Sequence, residues 1–418
     1  MLRNWAGNVE FSASAVHRPR SIPELQRLVA GADRIRALGT AHSFSTVADT
    51  AGELVSLAGL PPRIDIDQDR RLATVSAGLR YSDIAPRLDA AGLALANLAS
   101  LPHIGVAGAV ATGTHGSGDG NPCLAAAVRA LQLVTAEGDL VTVSAQTDPD
   151  RLAGLVVSLG ACGVVTSLTL GLVPAFTVWQ WVVEDVPSEA IAADFGAVTG
   201  AGYSVSVFTG WDEARRDRIW VKRTTSAAPP AGWLGGRPAP AGRHPIAGQP
   251  AGSATAQRGV PGPWHERLPH FRPEFTPSAG AELQSEFLIA RGDGPAALAA
   301  LDRLRARLAP VVQVSEIRTV AADGLWLSPA YRRDSAAVHF TWIPDPAAVA
   351  PVLASVEDAL APFGPRPHWG KISSIPPAEV ARRYPRLADF RRLVGAPGAG
   401  PKFRNDYVDA YLSETAGA

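Results

Sequence analysis

Cysteine, methionine and lysine are all scarce in this chain of 418 residues, which has 2 Cys, 1 Met and, among its 39 Lys and Arg, only Lys222, Lys371 and Lys402 as lysines. Two cysteines far apart, Cys123 and Cys162, supply neither a disulfide framework nor a thiolate metal cluster. Net charge is missing as well, because 39 acidic residues balance the basic ones. Without a cationic run the chain has no electrostatic footprint for nucleic acid or an anionic membrane, so small neutral partners are expected. The opening MLRNWAGNVE has no basic segment leading into an apolar run, which argues against an export signal and for a cytoplasmic protein. Long hydrophobic runs are absent too. The most apolar stretch, 152–175, is broken by Gly160 and Gly163 and reads as a short helix followed by a buried strand, not a membrane span.

Several chemical signatures also fail. No segment matches the dinucleotide fingerprint G-x-G-x-x-G, and Gly364 to Lys371 (GPRPHWGK) has one residue too many between its glycines for a phosphate loop. His265 and His270 in HERLPH are spaced i, i+5 around Pro269, which cannot place both on one helical face for zinc, so no metal is expected.

The length suits two or three domains with a large core. Residues 22–31 have helical spacing behind Ser21 as a cap, 33–39 read as the following strand, and 62–78 as a hairpin. A second helix is expected over 81–93, and two strands within 126–145 joined at Glu137-Gly138. Short strands and helices mixed in this way predict an α+β fold. Residues 227–263, packed with Ala, Pro and Gly, read as a long surface excursion or a linker. Beyond them come strands at 282–290, 312–320 and 336–343 with helices at 294–308 and 346–361, an antiparallel sheet with helices on one face.

Two segments stand out. The first, 99–121 (ASLPHIGVAGAVATGTHGSGDGN), carries glycine at 105, 108, 113, 116, 118 and 120, and backbone without Cβ atoms approaches a ligand closely. On composition alone it serves equally as a mobile loop or as a diphosphate cradle, although its apolar residues argue for burial and buried N–H groups need partners. The second is RALGTAHSFS (36–45), a strand end turning through Gly39-Thr40-Ala41-His42, where a histidine is by itself more often structural. In the second half, period-two reading of 311–320 puts Val312, Val314, Glu316, Arg318 and Val320 on one face, and reading of 336–343 groups His339 with Thr341. A buried charge must be paired or functional, so Glu316 and Arg318 make either a structural ion pair or part of a site.

Together these segments closely resemble the covalent-flavin oxidases of the vanillyl-alcohol oxidase superfamily, and most closely its alditol (xylitol) oxidases, nearly end to end from NWAGN (4–8) to PKFRN (401–405). The resemblance implies a two-part FAD-binding domain (1–175), a substrate domain with an antiparallel sheet covered by helices (176–375), and a C-terminal segment (376–418) returning to the FAD domain. It implies FAD bonded covalently through His42. Cofactor contacts would map to Leu38, Gly39, Thr40, Ala41, His42 and Ser43, to Ser100, Val106, Ala107, Gly108, Thr112, Gly113, Thr114, His115, Gly116, Ser117 and Gly118, and to Val165. The family's turn commonly reads Gly-Ser-Gly-His, whereas alanine precedes the histidine here.

The resemblance further implies a polyol gripped by Ser100, Glu316, Arg318, His339, Thr341 and Lys371. Arg318 and Lys371 would stand as catalytic cations at the reacting oxygen, with Glu316 orienting Arg318. Hydride would pass from the terminal carbinol carbon to flavin N5, and O2 would then become H2O2. The alternative within the superfamily is oxidation of an aldonolactone, or delivery of electrons to another carrier. Oligomeric state is left open, a monomer being sufficient. Of the lysines, Lys222 in WVKRTT reads as an ordinary strand-edge residue.

Overall fold

The computed structural model describes residues 2–275, 281–396 and 398–412. Its first part opens with a small parallel sheet in which Glu53–Val55 lies between Ala15–His17 and Ile35–Ala37. The helix Ile22–Gly31 makes the crossover. Its Ser21 hydroxyl accepts from the Glu24 N–H, and Leu25 and Val29 are buried on one face, as the 3.6-residue spacing predicts.

A five-stranded antiparallel sheet follows, and it contains both expected hairpins. Ile64–Asp67 pairs with Leu72–Ser76, and Val128–Val134 pairs with Leu140–Ser144 around Gly138, whose φ is +92°. Between them lies Val164–Gly171, in which alternate side chains are buried. That strand and the helix Pro149–Val156 account for the apolar stretch 152–175. Among the described residues no helix is long and apolar enough to cross a membrane.

A nine-stranded sheet forms the second part. Across it run Thr177–Pro187, Arg216–Arg223, Ser204–Thr209, Val312–Val320, Ser335–Trp342 and Leu283–Ala290, each antiparallel to its neighbour. One face packs through Phe340 and Trp342 into the main core, together with Ala297 and Leu301 of the helix Gly294–Asp302 and Val349, Leu353 and Val356 of Pro346–Leu360. The other face carries Gln284, Glu286, Glu316, Arg318, His339 and Thr341 to a cavity. One part of the period-two expectation fails. A bulge lies between Val312 and Val314, which pair with the adjacent residues Trp342 and Thr341. Val312 therefore joins the main core, while Val314 packs with Val182, Phe208 and Trp220.

Residues 227–263 run beside the Thr177–Pro187 strand, pairing with it at Arg237–Pro238 and Gly262–Pro263. The C-terminal helices return to the beginning of the chain. Asn405 Nδ2 donates to the Asp49 carbonyl at 2.7 Å, Lys402 Nζ to the Val29 carbonyl at 2.9 Å, and buried Arg36 to the carbonyls of Phe403, Val47 and Leu159.

Candidate active site

A cavity of about 640 Å³ lies between the two parts, within the size range of sites for sizeable small molecules. One wall is the turn after Ile35–Ala37. Leu38 still bonds in sheet fashion, its N–H donating to the Val55 carbonyl at 2.9 Å, and then the chain reverses at Ala41 with φ +56°. Trp5 fixes that reversal. Its N–H donates to the Ala41 carbonyl at 2.8 Å, and its ring stacks on His42 with centroids 5.3 Å apart. Burial pushes the His42 imidazole down to about 4, so it is neutral, and its Nδ1 is buried without a hydrogen-bond partner among the described residues.

The glycine-rich segment forms the next wall. Residues 106–111 are a short helix entered at Gly105, whose N–H donates to Thr40 Oγ1 at 3.2 Å and so ties the two sequence motifs together. Ser100, Ala107, Gly108, Thr112, Thr114, His115 and Val165 line the cavity with residues 38–43.

Five expected contacts do not line it. Val106 is wholly buried in the core, with its N–H bonded to the Leu79 carbonyl. Gly113 packs on Pro329, and a Cβ at Gly116 would collide with Asn97 and the Leu98 carbonyl. At Gly118, with φ +131°, a Cβ would meet the Tyr203 carbonyl, and Ser117 donates to the Val205 carbonyl. These glycines answer to crowding by the protein itself, where 116–118 is stitched to the large sheet through Gly118 N–H to the Thr319 carbonyl at 3.0 Å.

The cavity suits the expected FAD. Gly39 and Gly108 face it with nothing within 4 Å of where a Cβ would stand, and the buried Nδ1 of His42 makes no hydrogen bond of good geometry among the described residues.

On the opposite wall, antiparallel register sets Glu316 and Glu286 on either side of His339, and Gln284 and Val314 on either side of Thr341. Arg318 donates through Nη2 to Glu286 Oε1 at 2.5 Å, lies 3.6 Å from Glu316 Oε1 through Nε, and reaches Ser100 Oγ at 3.5 Å through Nη1. His115 Nε2 stands 3.3 Å from the same Glu286 oxygen. Burial alone would raise both carboxyls, yet Arg318, with His115 at Glu286 and His270 at Glu316, holds them well below the usual range. Lys371 Nζ donates to Gln284 Oε1 and lies 5.2 Å from the centre of the Phe44 ring, while burial pulls its ammonium down to about 8. His339 and His368 are pushed by burial to about 3 and are neutral.

All six expected substrate residues thus border one cavity. Glu286, Gln284, His270 and His368 border it too and were not anticipated. The alternation Glu282, Gln284, Glu286 in ELQSEFLIA was available to point to two of them. His270 arrives from a loop whose backbone is tied to Ser100, its N–H donating to the Ser100 carbonyl at 3.1 Å, and no periodicity announces it. From the Ala/Pro/Gly-rich segment, His244, Pro245 and Ile246 reach the same cavity, held by Arg218, which donates to the His244 and Pro245 carbonyls at 2.7 and 2.6 Å. Lys222 is not at an edge. It lies between two strands of the sheet at 1 % exposure.

An FAD binding domain model matches residues 13–144, and a D-arabinono-1,4-lactone oxidase model matches residues 281–411. The chain is 50% identical over 409 residues to an alditol oxidase of Streptomyces sp., covering 97% of each chain. It is 29% identical to an L-gulono-1,4-lactone dehydrogenase of Mycobacterium tuberculosis, covering 98% of each. Among solved structures, cholesterol oxidase from B. sterolicum superposes with a TM-score of 0.78 at 16% identity, covering 98% of this chain and 96% of the other, a likeness of fold alone.

Proposed function

The chain belongs to the alditol oxidases, FAD-binding enzymes of the vanillyl-alcohol oxidase superfamily, and from that premise we propose that it converts the terminal primary hydroxyl of an alditol of the xylitol or sorbitol type to the aldose, with O2 reduced to H2O2. The observation that carries this reading is the strand face bearing Gln284, Glu286, Glu316, Arg318, His339 and Thr341, which shares one cavity with the His42 turn. A polyhydroxylated, uncharged chain needs many fixed donors and acceptors and no net charge opposite it.

FAD, when bound, supplies the acceptor for the hydride leaving the carbinol carbon and afterwards the electrons for O2. Residues 38–43 and the lining residues of 100–115, with Val165, would hold it, and His42 would tether it. In this reading residues 1–175 and 376–418 form the cofactor part and 176–375 the substrate part. The Lys371 ammonium and the Arg318 guanidinium would flank the reacting oxygen and stabilise the negative charge that develops on it as its proton departs, and that proton and the hydride end as the two hydrogens of H2O2. Glu286 and Glu316 hold Arg318 in place. Neutral His339, with Thr341 and Gln284, takes hydroxyls further along the chain.

Peroxide release on mixing with xylitol or sorbitol, set against an aldonolactone, tests the reading. The lactone alternative is favoured by the D-arabinono-1,4-lactone oxidase model over 281–411, and a lactone turned over in preference would establish it. For the tether, flavin absorbance that leaves acid-precipitated protein rules out the bond to His42.

A further inference from the structure

Lys222 is one of three lysines in a chain whose ordinary cation is arginine, and it is buried in the middle of the large sheet. Its Nζ lies among three acceptors: the Leu268 carbonyl, the Pro269 carbonyl at 3.3 Å and His270 Nδ1 at 3.2 Å. Three acceptors use all three hydrogens of an ammonium, a demand that a planar guanidinium does not meet in so small a space. Burial pulls that ammonium down to about 7, and its neutral amine still has two hydrogens to donate, so Nδ1 remains an acceptor in either form. Since Nδ1 of His270 accepts, the imidazole proton sits on Nε2, and Nε2 donates to Glu316 Oε1 at 2.7 Å.

The chain from Lys222 to Glu316 is buried, with His270 and Glu316 each 5 % exposed. The rings of Phe208 and Trp220 stand edge-to-face with His270, at 5.4 and 5.2 Å between centroids, and the Arg318 charge also acts on it. Charged or titratable groups acting on Glu316 include Arg318, on its own strand, His339, directly opposite in register, and Lys371, which lines the same cavity. Lys222 itself does not border the cavity, whereas His270 and Glu316 do.

We propose that Lys222 and His270 are positioning residues of the substrate site: Lys222 fixes the Nε2–H tautomer of His270, and His270 holds one oxygen of Glu316, leaving the other for a substrate hydroxyl. Burial keeps the imidazole neutral by pushing it down to about 4, with the Lys222 charge adding to the effect. Replacing Lys222 by methionine fills the same volume but leaves Nδ1 open beside an ionised carboxylate. The imidazole then gains a site for a second proton and loses the cation that repelled it. A lysine that merely satisfied the Leu268 and Pro269 carbonyls would leave the state of His270 unchanged when removed.

The test uses the flavin-loaded full chain with 15N-labelled histidine, followed by NMR from about pH 5.5 to about pH 8.5, the range in which an ordinary imidazole titrates. Wild type is expected to show His270 as a neutral Nε2–H imidazole throughout. Lys222→Met should give a titrating His270 signal and a matching acid limb in kcat/KM. In kcat/KM for xylitol, His270→Phe should lose about 10- to 100-fold, and His270→Gln, which keeps an N–H for Glu316, should restore most of it. A wild-type His270 that carries its proton on Nδ1, or a His270→Phe enzyme with unchanged kcat/KM, overturns the proposal. If Lys222→Met does not fold, the wild-type spectrum and the two His270 variants still decide it. The kinetic arm rests on the alditol reading, but the spectrum does not. A wild type that oxidised no alditol would count against that reading, and the tautomer would still be read directly.

Discussion

Phe44 donates its backbone N–H to the carbonyl of Gly370 at 2.7 Å, and Ser45 Oγ repeats the link one residue on, to the Trp369 carbonyl at 2.7 Å. The turn that presents His42 and the turn that presents Lys371 are therefore one hydrogen-bonded unit, although they lie more than three hundred positions apart in sequence. The His42 wall and the Lys371 wall of the cavity are held in register by these bonds, and the Lys371 ammonium is seated against the Phe44 ring of the same unit.

Burial, which outweighs that seating, makes Lys371 the more pH-sensitive of the two cations at the proposed reacting oxygen. With its ammonium at about 8, kcat/KM for an alditol is expected to decline above that pH. Lys371→Met should remove on the order of 10²-fold in kcat, the usual cost of losing one charge-assisted contact to a developing oxyanion. Lys371→Arg should abolish the alkaline limb, since a guanidinium does not titrate there. Phe44→Leu should move the limb to lower pH, because an aromatic face favours the charged form. Full kcat in Lys371→Met would remove the residue from the mechanism.

Ala41 bears a backbone cost. Its φ of +56° lies in the left-handed region, which disfavours any side chain by roughly 1 kcal/mol and glycine not at all. Ala41→Gly is expected to stabilise the protein by up to about 1 kcal/mol and Ala41→Val to destabilise it, measured by urea unfolding. Equal stabilities of the three proteins would show that the turn relaxes out of this conformation.

Buried neutral histidines set the acid response of the fold. Burial holds His270 at about 4 and His339 and His368 at about 3, against an unfolded value near 6.5. Groups with depressed values contribute stability that is complete above the unfolded pKa and is lost as pH falls toward the folded one. Between pH 6.5 and 4.5 the unfolded chain binds protons that the native protein refuses, so stability should fall by up to about 4 kcal/mol per unit for the three together. Glu286 and Glu316 begin to add their own loss as pH falls through the ordinary carboxylate range, where the unfolded chain takes up the protons that the native carboxylates refuse. Unfolding free energies at two pH values in that window check the sign, and His339→Gln should lessen the slope.

Legibility in the sequence followed periodicity. The alternation of 312–320 and 336–343 was enough to bring Glu316, Arg318, His339 and Thr341 to one face, because a pleated strand enforces period two. It misplaced Val312, since a bulge is a local departure from that period and leaves no mark in hydrophobicity. Glu286 went unread although its own strand alternates just as well. Lys222 and His270 were beyond this kind of reading, because their meeting depends on a loop laid across the Arg216–Arg223 strand. At Gly116 and Gly118 it is the protein's own atoms that come close, and the absence of a Cβ in a sequence signals a close approach without saying what approaches.

Glu286 joins the two halves of the site electrostatically, with one oxygen 2.5 Å from Arg318 and 3.3 Å from His115, all three side chains being buried. Removing one partner of such a group strands the other's charge in the protein, which costs about 3 kcal/mol or more. Glu286→Gln is therefore expected to destabilise the fold by that amount, since Glu316, at 3.6 Å from Arg318 Nε, compensates only in part. Arg318→Met should cost a similar amount, by leaving Glu286 and Glu316 without their shared cation. The double variant Glu286→Gln/Arg318→Met removes both members of the pair and leaves only Glu316 without that cation, so it should be more stable than the sum of the single losses predicts. Additive losses in urea unfolding would mean that Glu286 and Arg318 are not a coupled pair, and that Arg318 is held in the cavity by Glu316 alone.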